Sequence, residues 1–365
     1  MPLNHYVTLG RSGLRVSPIS LGAMMFGDDL DAAFGSKVGS DEKESQRIID
    51  RYIELGGNFI DTANFYMRGR SEKIIGDHLA HDREKRDRVV IATKFSGNLY
   101  PGDPNGGGAN RKSIIAQAEQ SLRRLRTDYI DLYYLHVFDK HTPVEETVAA
   151  MNDLVKAGKV RYLGISDTPA WKSAQMQLLT QVHGWAPFVA LQIEYSLIER
   201  SVEAELIPMA RELGLGVVPW SPLGGGRLSG KYTRENAGKV TGGRAAAVKV
   251  TERDYDIVDV LARTAKELDT TIPRVALAWL SSRPGVTAPI VGGRTVSHFE
   301  DNVASLEVKL TAEHIKALDA VSAPTLPFPA AFLNGAASVF GGGTSINGET
   351  SPISPILPQK RGEHY

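Results

Sequence analysis

Eight short apolar runs, each followed by a segment of helical periodicity, constrain this chain more than any other feature of its sequence. The runs lie at residues 19–24, 59–62, 89–95, 130–136, 160–166, 189–195, 216–220 and 288–291. Near-continuous apolar strands are buried on both faces, and a helix between successive strands makes them pair in parallel. Eight such units predict an α/β protein of the (β/α)8 TIM-barrel kind, with a doubly wound sheet as the alternative. Turn chemistry at Gly10-Arg11-Ser12-Gly13 adds an N-terminal hairpin from residues 6–9 and 14–17. Local helix signals agree: Asp41 with Glu44 three residues on, Ser71 beside Glu72, and the cap-then-proline order of Thr168-Pro169. No break in composition divides residues 1–365, so one domain is expected, with its core at residues 6–321. A Gly-rich insertion at 224–251 interrupts the seventh unit. The chain closes with a C-terminal helix at 311–321 and a tail at 322–365 rich in Pro, Gly and Ser. That tail is either a disordered end or a lid over the barrel mouth.

In a barrel of this kind the chemistry gathers at the carboxyl ends of the strands. There the sequence puts Asp61 after the second run, Lys94 near the end of the third and His136 at the end of the fourth, with Tyr66 on the loop leaving the second. Singly, each has an ordinary structural explanation: a turn-capping acid, a snorkelling lysine, a hydrogen-bonded rim histidine, a half-buried aromatic. Together their chemistry is complementary. A lysine beside a tyrosine favours the phenolate and lowers the phenol pKa from about 10. The desolvated ammonium needs an acid partner, which Asp61 supplies. A neutral histidine orients a carbonyl oxygen. Such a set delivers a proton from Tyr66 to an oxygen that is becoming an alkoxide. The missing component is an electron donor, which points to a hydride cofactor. No base-activated nucleophile accompanies the four residues, and His136 with Asp139 alone is a weak metal signal, so no metal is expected.

Composition removes other classes. The 42 basic and 42 acidic side chains balance, which leaves no electrostatic footprint for nucleic acid or an anionic membrane surface. The absence of cysteine excludes disulfides, thiolate catalysis and cysteine-ligated zinc. With no leader pattern and no apolar segment near the roughly 20 residues that span a bilayer, a cytoplasmic protein is expected.

The stretches that carry these residues are Gly57-Asn58-Phe59-Ile60-Asp61-Thr62-Ala63 with Tyr66, Ala92-Thr93-Lys94, and Asp131-Leu132-Tyr133-Tyr134-Leu135-His136. Further on stand residues 158–166 (GKVRYLGIS), Gln192-Ile193-Glu194-Tyr195-Ser196, Pro219-Trp220-Ser221-Pro222-Leu223, Gly292-Gly293-Arg294-Thr295 and Asn302. In that order and spacing, over residues 6–321, the sequence resembles the aldo-keto reductase family. The resemblance implies a (β/α)8 barrel that binds extended NADPH/NADP+ without a Rossmann domain, in keeping with the lack of a Gly-x-Gly-x-x-Gly turn between a strand and a helix. It implies a catalytic tetrad of Asp61, Tyr66, Lys94 and His136, with Tyr66 the proton donor. Ser166, Asp167 and Gln192 would meet the nicotinamide carboxamide, and Trp220 would stack on its ring. Ser221, Leu223, Gly225 and Lys231 would line the pyrophosphate path. Gly292, Arg294, His298 and Asn302 would hold the adenosine end, with the planar fork of Arg294 suited to a 2′-phosphate. Three positions depart from the family pattern: Asp167 replaces the usual Asn, His298 the usual Gln or Glu, and Met67-Arg68 follow Tyr66 where Gly is frequent.

The activity so implied is NADPH-dependent reduction of aldehydes or ketones to alcohols, or the reverse, by a monomer or homo-oligomer. An NADPH-binding regulatory subunit of the channel β-subunit type is the alternative, and a barrel lyase or isomerase with a Tyr/Lys pair is a third reading. Loops 27–40, 96–110 and 224–251 should wall the pocket, and Phe26, Phe95, Tyr100 and Trp220 suggest an apolar or aromatic substrate.

Overall fold

The computed structural model of the protein describes residues 2–28, 39–237, 239, 250–360 and 362, so loops 27–40 and 224–251 fall partly outside the described residues. The chain starts with β1 (Val7–Thr8) and β2 (Arg15–Val16), an antiparallel hairpin. Strand–helix units follow: β3 (Ser20–Gly22), α1 (Glu42–Glu54), β4 (Phe59–Asp61), α2 (Arg70–Leu79), β5 (Val90–Phe95), α3 (Arg111–Leu125), β6 (Ile130–Leu135) and α4 (Val144–Lys156). The second half comprises β7 (Val160–Ser166), α5 (Ala170–His183), β8 (Phe188–Glu194), α6 (Leu206–Leu213) and β9 (Gly216–Trp220). Helices α7 (Glu252–Glu267) and α8 (Ile272–Ser281) precede β10 (Ile290–Val291), α9 (Val296–Val303) and α10 (Ala312–Val321).

The strands β10-β3-β4-β5-β6-β7-β8-β9 form one parallel sheet in that order. The last strand lies beside the first, which decides for a barrel over a doubly wound sheet. Its remaining seam is closed by backbone bonds: the Thr287 N–H donates to the Val217 carbonyl (2.8 Å) and the Val217 N–H to the Gly285 carbonyl (3.1 Å). Each strand is apolar because both its faces are covered. Leu132, Tyr134, Val189, Ala190 and Val218 fill the interior, while the outward residues pack under the helices. Burying each such side chain stabilises the fold by roughly 1.5–3 kcal/mol. The hairpin closes the amino-terminal end, where Leu9 and Val16 pack against Phe59, Val90 and Ala288. Gly10 makes that approach feasible: its φ is +56°, and a Cβ there would lie 2.3 Å from the Val189 carbonyl oxygen.

Several boundaries differ from the sequence reading. β3 and β10 are two to three residues long rather than four to six. His136 stands one residue beyond β6, and α2 starts at Arg70, behind Gly69 at φ +89°. In the tail a helix, α11 (Ala330–Gly341), is followed by a small hairpin pairing Ser345–Ile346 with Glu349–Thr350. The helix gives no period because it is apolar nearly all round, leaving Phe332, Leu333 and Phe340 exposed. The hairpin did have a signal, the Asn347-Gly348 turn with φ positive at both residues.

Candidate active site

Asp61, Tyr66, Lys94 and His136 meet at the carboxyl ends of β4, β5 and β6. Neighbouring register sets this up, with Asp61 opposite Ala92 and Lys94 opposite Tyr134. The Lys94 ammonium is fully buried and donates to Asp61 Oδ1 (2.5 Å), to the Thr62 carbonyl (2.8 Å) and to the Tyr66 hydroxyl (3.4 Å). Three acceptors for three donors satisfy it completely. Asp61 Oδ2 accepts from Gln192 Nε2 at 2.8 Å, so Gln192, four strands along the chain on β8, holds the acid that holds the lysine. Burial works against the ammonium, but its interactions with Asp61 and Tyr66 outweigh it and raise the Lys94 pKa above its ordinary value. Burial likewise pushes the Asp61 carboxyl up, against the pull of Lys94 and Gln192.

The phenol departs from expectation. Lys94 does pull the Tyr66 pKa down, but burial is the larger effect, and Asp61 and Asp167 add to it, so the net direction is upward. Tyr66 is therefore protonated at neutral pH, the state a proton donor needs. His136 is buried and its pKa is pushed down to about 2, first by burial and then by Lys94, so the ring is neutral. It meets the Tyr66 ring edge-on at 5.6 Å. Its Nδ1 has no hydrogen-bond partner among the described residues.

The sequence reading missed Phe65. Its ring stacks on His136 (5.0 Å, 26°) and meets Tyr66 edge-on (5.4 Å), yet remains 40% exposed. Gly97 is a glycine because a Cβ there would lie 2.1 Å from Phe65 Cδ1. Met24 and Val137, also just past strand ends, are 45% and 51% exposed. These residues form an apolar rim, and Tyr100 is 48% exposed on the 96–110 loop. Phe26 and Phe95 do not join the rim: both are fully buried in the outer cores, Phe95 because the pleat of β5 turns it to the helix side and Phe26 in the loop past β3. Asp139 is structural, accepting from the Ala109 N–H (3.0 Å) and Thr142 Oγ1 (2.7 Å) and so pinning the 96–110 loop.

The expected cofactor residues lie along the mouth from β7 to α9. Ser166, ending β7, is fully buried, and its hydroxyl has no partner among the described residues. Trp220, ending β9, donates through Nε1 to Asp167 Oδ1 at 3.0 Å, and burial raises the Asp167 pKa more than this bond lowers it. Ser221 Oγ accepts from the Gly225 N–H (2.8 Å), and Gly224, Gly225 and Gly226 all have positive φ. A Cβ on Gly225 would meet no described atom within 4 Å, so this turn borders open space. Leu223 packs against the outer core, whereas Lys231 is exposed. Past β10, Asn302 Nδ2 donates to the Gly292 carbonyl (3.1 Å), and Arg294 and His298 are exposed at the start of α9. The buried orphan hydroxyl and the open glycine turn are features that an extended amide- and phosphate-bearing group would fit.

Backbone strain marks the same rim. Met67, Arg68, Ser96, Asp167 and Ser221 all have φ between +39° and +94°, and each follows a barrel strand. Each such non-glycine conformation costs about 1–3 kcal/mol and persists where the surroundings enforce it, as at active sites. Among the described residues no group of three or more His, Cys, Asp or Glu could hold a metal, and no helix is long and apolar enough to cross a membrane.

Comparison with known proteins covers most of the chain. The model of the Aldo/keto reductase family matches residues 18–323. The chain is 35% identical to a Saccharomyces cerevisiae protein named as an aryl-alcohol dehydrogenase, over 94% of this chain and 92% of that protein. It is 39% identical to an uncharacterized oxidoreductase of Bacillus subtilis, over 86% and 94% respectively. It is 34% identical to a norsolorinic acid reductase of Aspergillus flavus, over 90% and 84%.

Proposed function

The chain belongs to the aldo/keto reductase family of oxidoreductases, and on that premise we propose that it reduces aldehydes or ketones with NADPH, using Tyr66 as proton donor. The observation that carries this reading is the buried relay of Asp61, Lys94 and Tyr66 beside a neutral His136. A carbonyl oxygen within reach of the Tyr66 hydroxyl would gain negative charge as its carbon accepts hydride. Tyr66, protonated at neutral pH, gives up its proton there, and the adjacent ammonium stabilises the phenolate left behind. Neutral His136 offers a hydrogen bond to the same oxygen without competing for the proton. In the reverse direction the same groups take a proton from an alcohol.

The nicotinamide supplies the hydride when bound. Ser166, Asp167 and Gln192 would meet its carboxamide and Trp220 its ring, although the Gln192 amide is already engaged with Asp61. Ser221, Leu223, Gly225 and Lys231 would follow the pyrophosphate, and Gly292, Arg294, His298 and Asn302 the adenosine phosphate. The apolar rim of Met24, Phe65 and Val137 favours a flat aromatic substrate. The relatives' names point the same way, one to aryl alcohols and another to norsolorinic acid.

The test is NADPH oxidation with benzaldehyde, its ring-substituted forms and aliphatic aldehydes of similar size. Aryl aldehydes should turn over fastest, and Tyr66→Phe should lose activity by at least about 10²-fold. Wild-type turnover by Tyr66→Phe would remove the assigned role.

A further inference from the structure

Gln117 lies on α3, on the helix side of the barrel, and belongs to no motif of the site. It is nonetheless buried, and its carboxamide is the junction of the loops that carry the reacting groups. Its Oε1 accepts the Ser96 N–H at 3.0 Å, two residues past Lys94. The same oxygen accepts Asn64 Nδ2 at 2.8 Å, two residues before Tyr66. Its Nε2 reaches the Gly108 carbonyl at 3.5 Å, near the end of the 96–110 loop. Ser96 extends the junction: its Oγ accepts the Val137 N–H at 3.3 Å, beside His136, and its carbonyl accepts the Gly108 N–H at 2.9 Å.

The orientation is fixed by donors that have no choice. A backbone N–H can only donate, so Ser96 dictates which end of the Gln117 amide faces it. That oxygen in turn dictates that Asn64 presents its NH2, which also donates to the Gly97 carbonyl at 2.8 Å. Asn64 Oδ1 is left buried without a partner among the described residues, and the flipped amide would instead set that oxygen against two acceptors, Gln117 Oε1 and the Gly97 carbonyl. Ser96, at φ +94°, is held in a conformation a serine does not favour, which requires such an anchor.

We propose that Gln117 is a positioning residue that sets Tyr66, Lys94 and His136 in register with one another through Asn64 and Ser96. This rests on the assignment of Tyr66 as proton donor. Losing the shared acceptor frees two loops whose relative placement fixes the 3.4 Å contact between Lys94 and Tyr66. A misplacement of that kind lowers the chemical step while leaving the cofactor residues on β7 to α9 in place.

Three variants test it: Gln117→Met, which keeps length but has no strong acceptor; Gln117→Glu, which keeps both accepting bonds; and Asn64→Ala. In Gln117→Met, kcat for an aryl aldehyde should fall about 10- to 100-fold. Its NADPH affinity by fluorescence titration should be unchanged, and the Tyr66 ionisation in the kcat–pH profile should move upward as Lys94 loses its hold. Gln117→Glu keeps the acceptor but turns a second oxygen towards the Gly108 carbonyl, so it should be faster than Gln117→Met without reaching wild type, and Asn64→Ala combined with Gln117→Met should lose no more than the worse single variant. Should Gln117→Met fail to fold, Asn64→Ala alone carries the same expectation. Wild-type kcat and pH profile in Gln117→Met or Asn64→Ala, a Gln117→Glu no faster than Gln117→Met, or additive losses would each overturn the proposal. If Tyr66→Phe is inactive and Gln117→Met is normal, only this proposal falls; an active Tyr66→Phe takes the underlying reading with it.

Discussion

Removing Lys94 tests the electrostatics of the site without any substrate. The side chains of Lys94 and Asp61 are 0% and 3% exposed, so their charges are compensated almost entirely by each other. Lys94→Met removes the cation and leaves Asp61 with the single neutral donor Gln192 Nε2. Breaking a buried pair from one side costs about 3–5 kcal/mol, whereas replacing both partners by apolar residues is often neutral or stabilising. At pH 8, Lys94→Met should therefore be about 3–5 kcal/mol less stable than the parent, and Lys94→Met with Asp61→Leu should recover most of the loss. The pH dependence has a definite sign. Burial already raises the Asp61 pKa, and deleting Lys94 raises it further. An acid whose folded pKa lies above its unfolded value of about 3.9 loses stability as pH rises through the folded value. The deficit of the single variant should thus shrink on going from pH 8 to pH 5, and the double variant should show no such recovery. Urea unfolding followed by the fluorescence of the four tryptophans measures both. A single variant as stable as the double at pH 8 would mean that the two groups do not form a buried charged pair.

Asp167 raises the Tyr66 pKa, so Asp167→Asn should shift the phenol ionisation in the kcat–pH profile to lower pH; an upward shift would contradict the assigned coupling. His136, folded at about 2 against an unfolded value near 6.5, makes the protein lose about 1.4 kcal/mol per pH unit below 6.5, and His136→Asn should flatten that slope in denaturant titrations from pH 7 to 5. An NMR titration should accordingly find no protonation of His136 between pH 5 and 8. Arg294→Ala should weaken NADPH binding by about 10-fold or more while leaving NADH nearly unchanged, read by fluorescence titration; equal losses would withdraw the 2′-phosphate assignment.

The barrel was legible because strand burial is written directly into composition: a run such as residues 89–95 has no polar face to offer water. Asp61, Lys94 and His136 were legible because strand ends follow from the same runs, and polar residues there have one place to point. The sign of the Tyr66 shift was not legible, because it depends on how burial compares with three charges, and burial is a property of the packed mouth. Phe95 misled although successive strand residues face opposite ways, so that the register turning Lys94 to the mouth turns Phe95 to the helices; Phe26 lies four residues past β3, where the strand alternation no longer sets its direction. Gln117 left no trace, since its three partners are far apart in sequence and two are backbone groups.

The hairpin plug makes the barrel a vessel with one door. Beneath the phenol lie Tyr134, Leu132, Phe59 and the Leu9–Val16 stopper, a largely aliphatic and aromatic floor. On the proposed mechanism, Tyr66 would regain its proton from above, by the same opening through which an alcohol product would leave. Recharging and release share one passage, so a product that lingers in the doorway delays both.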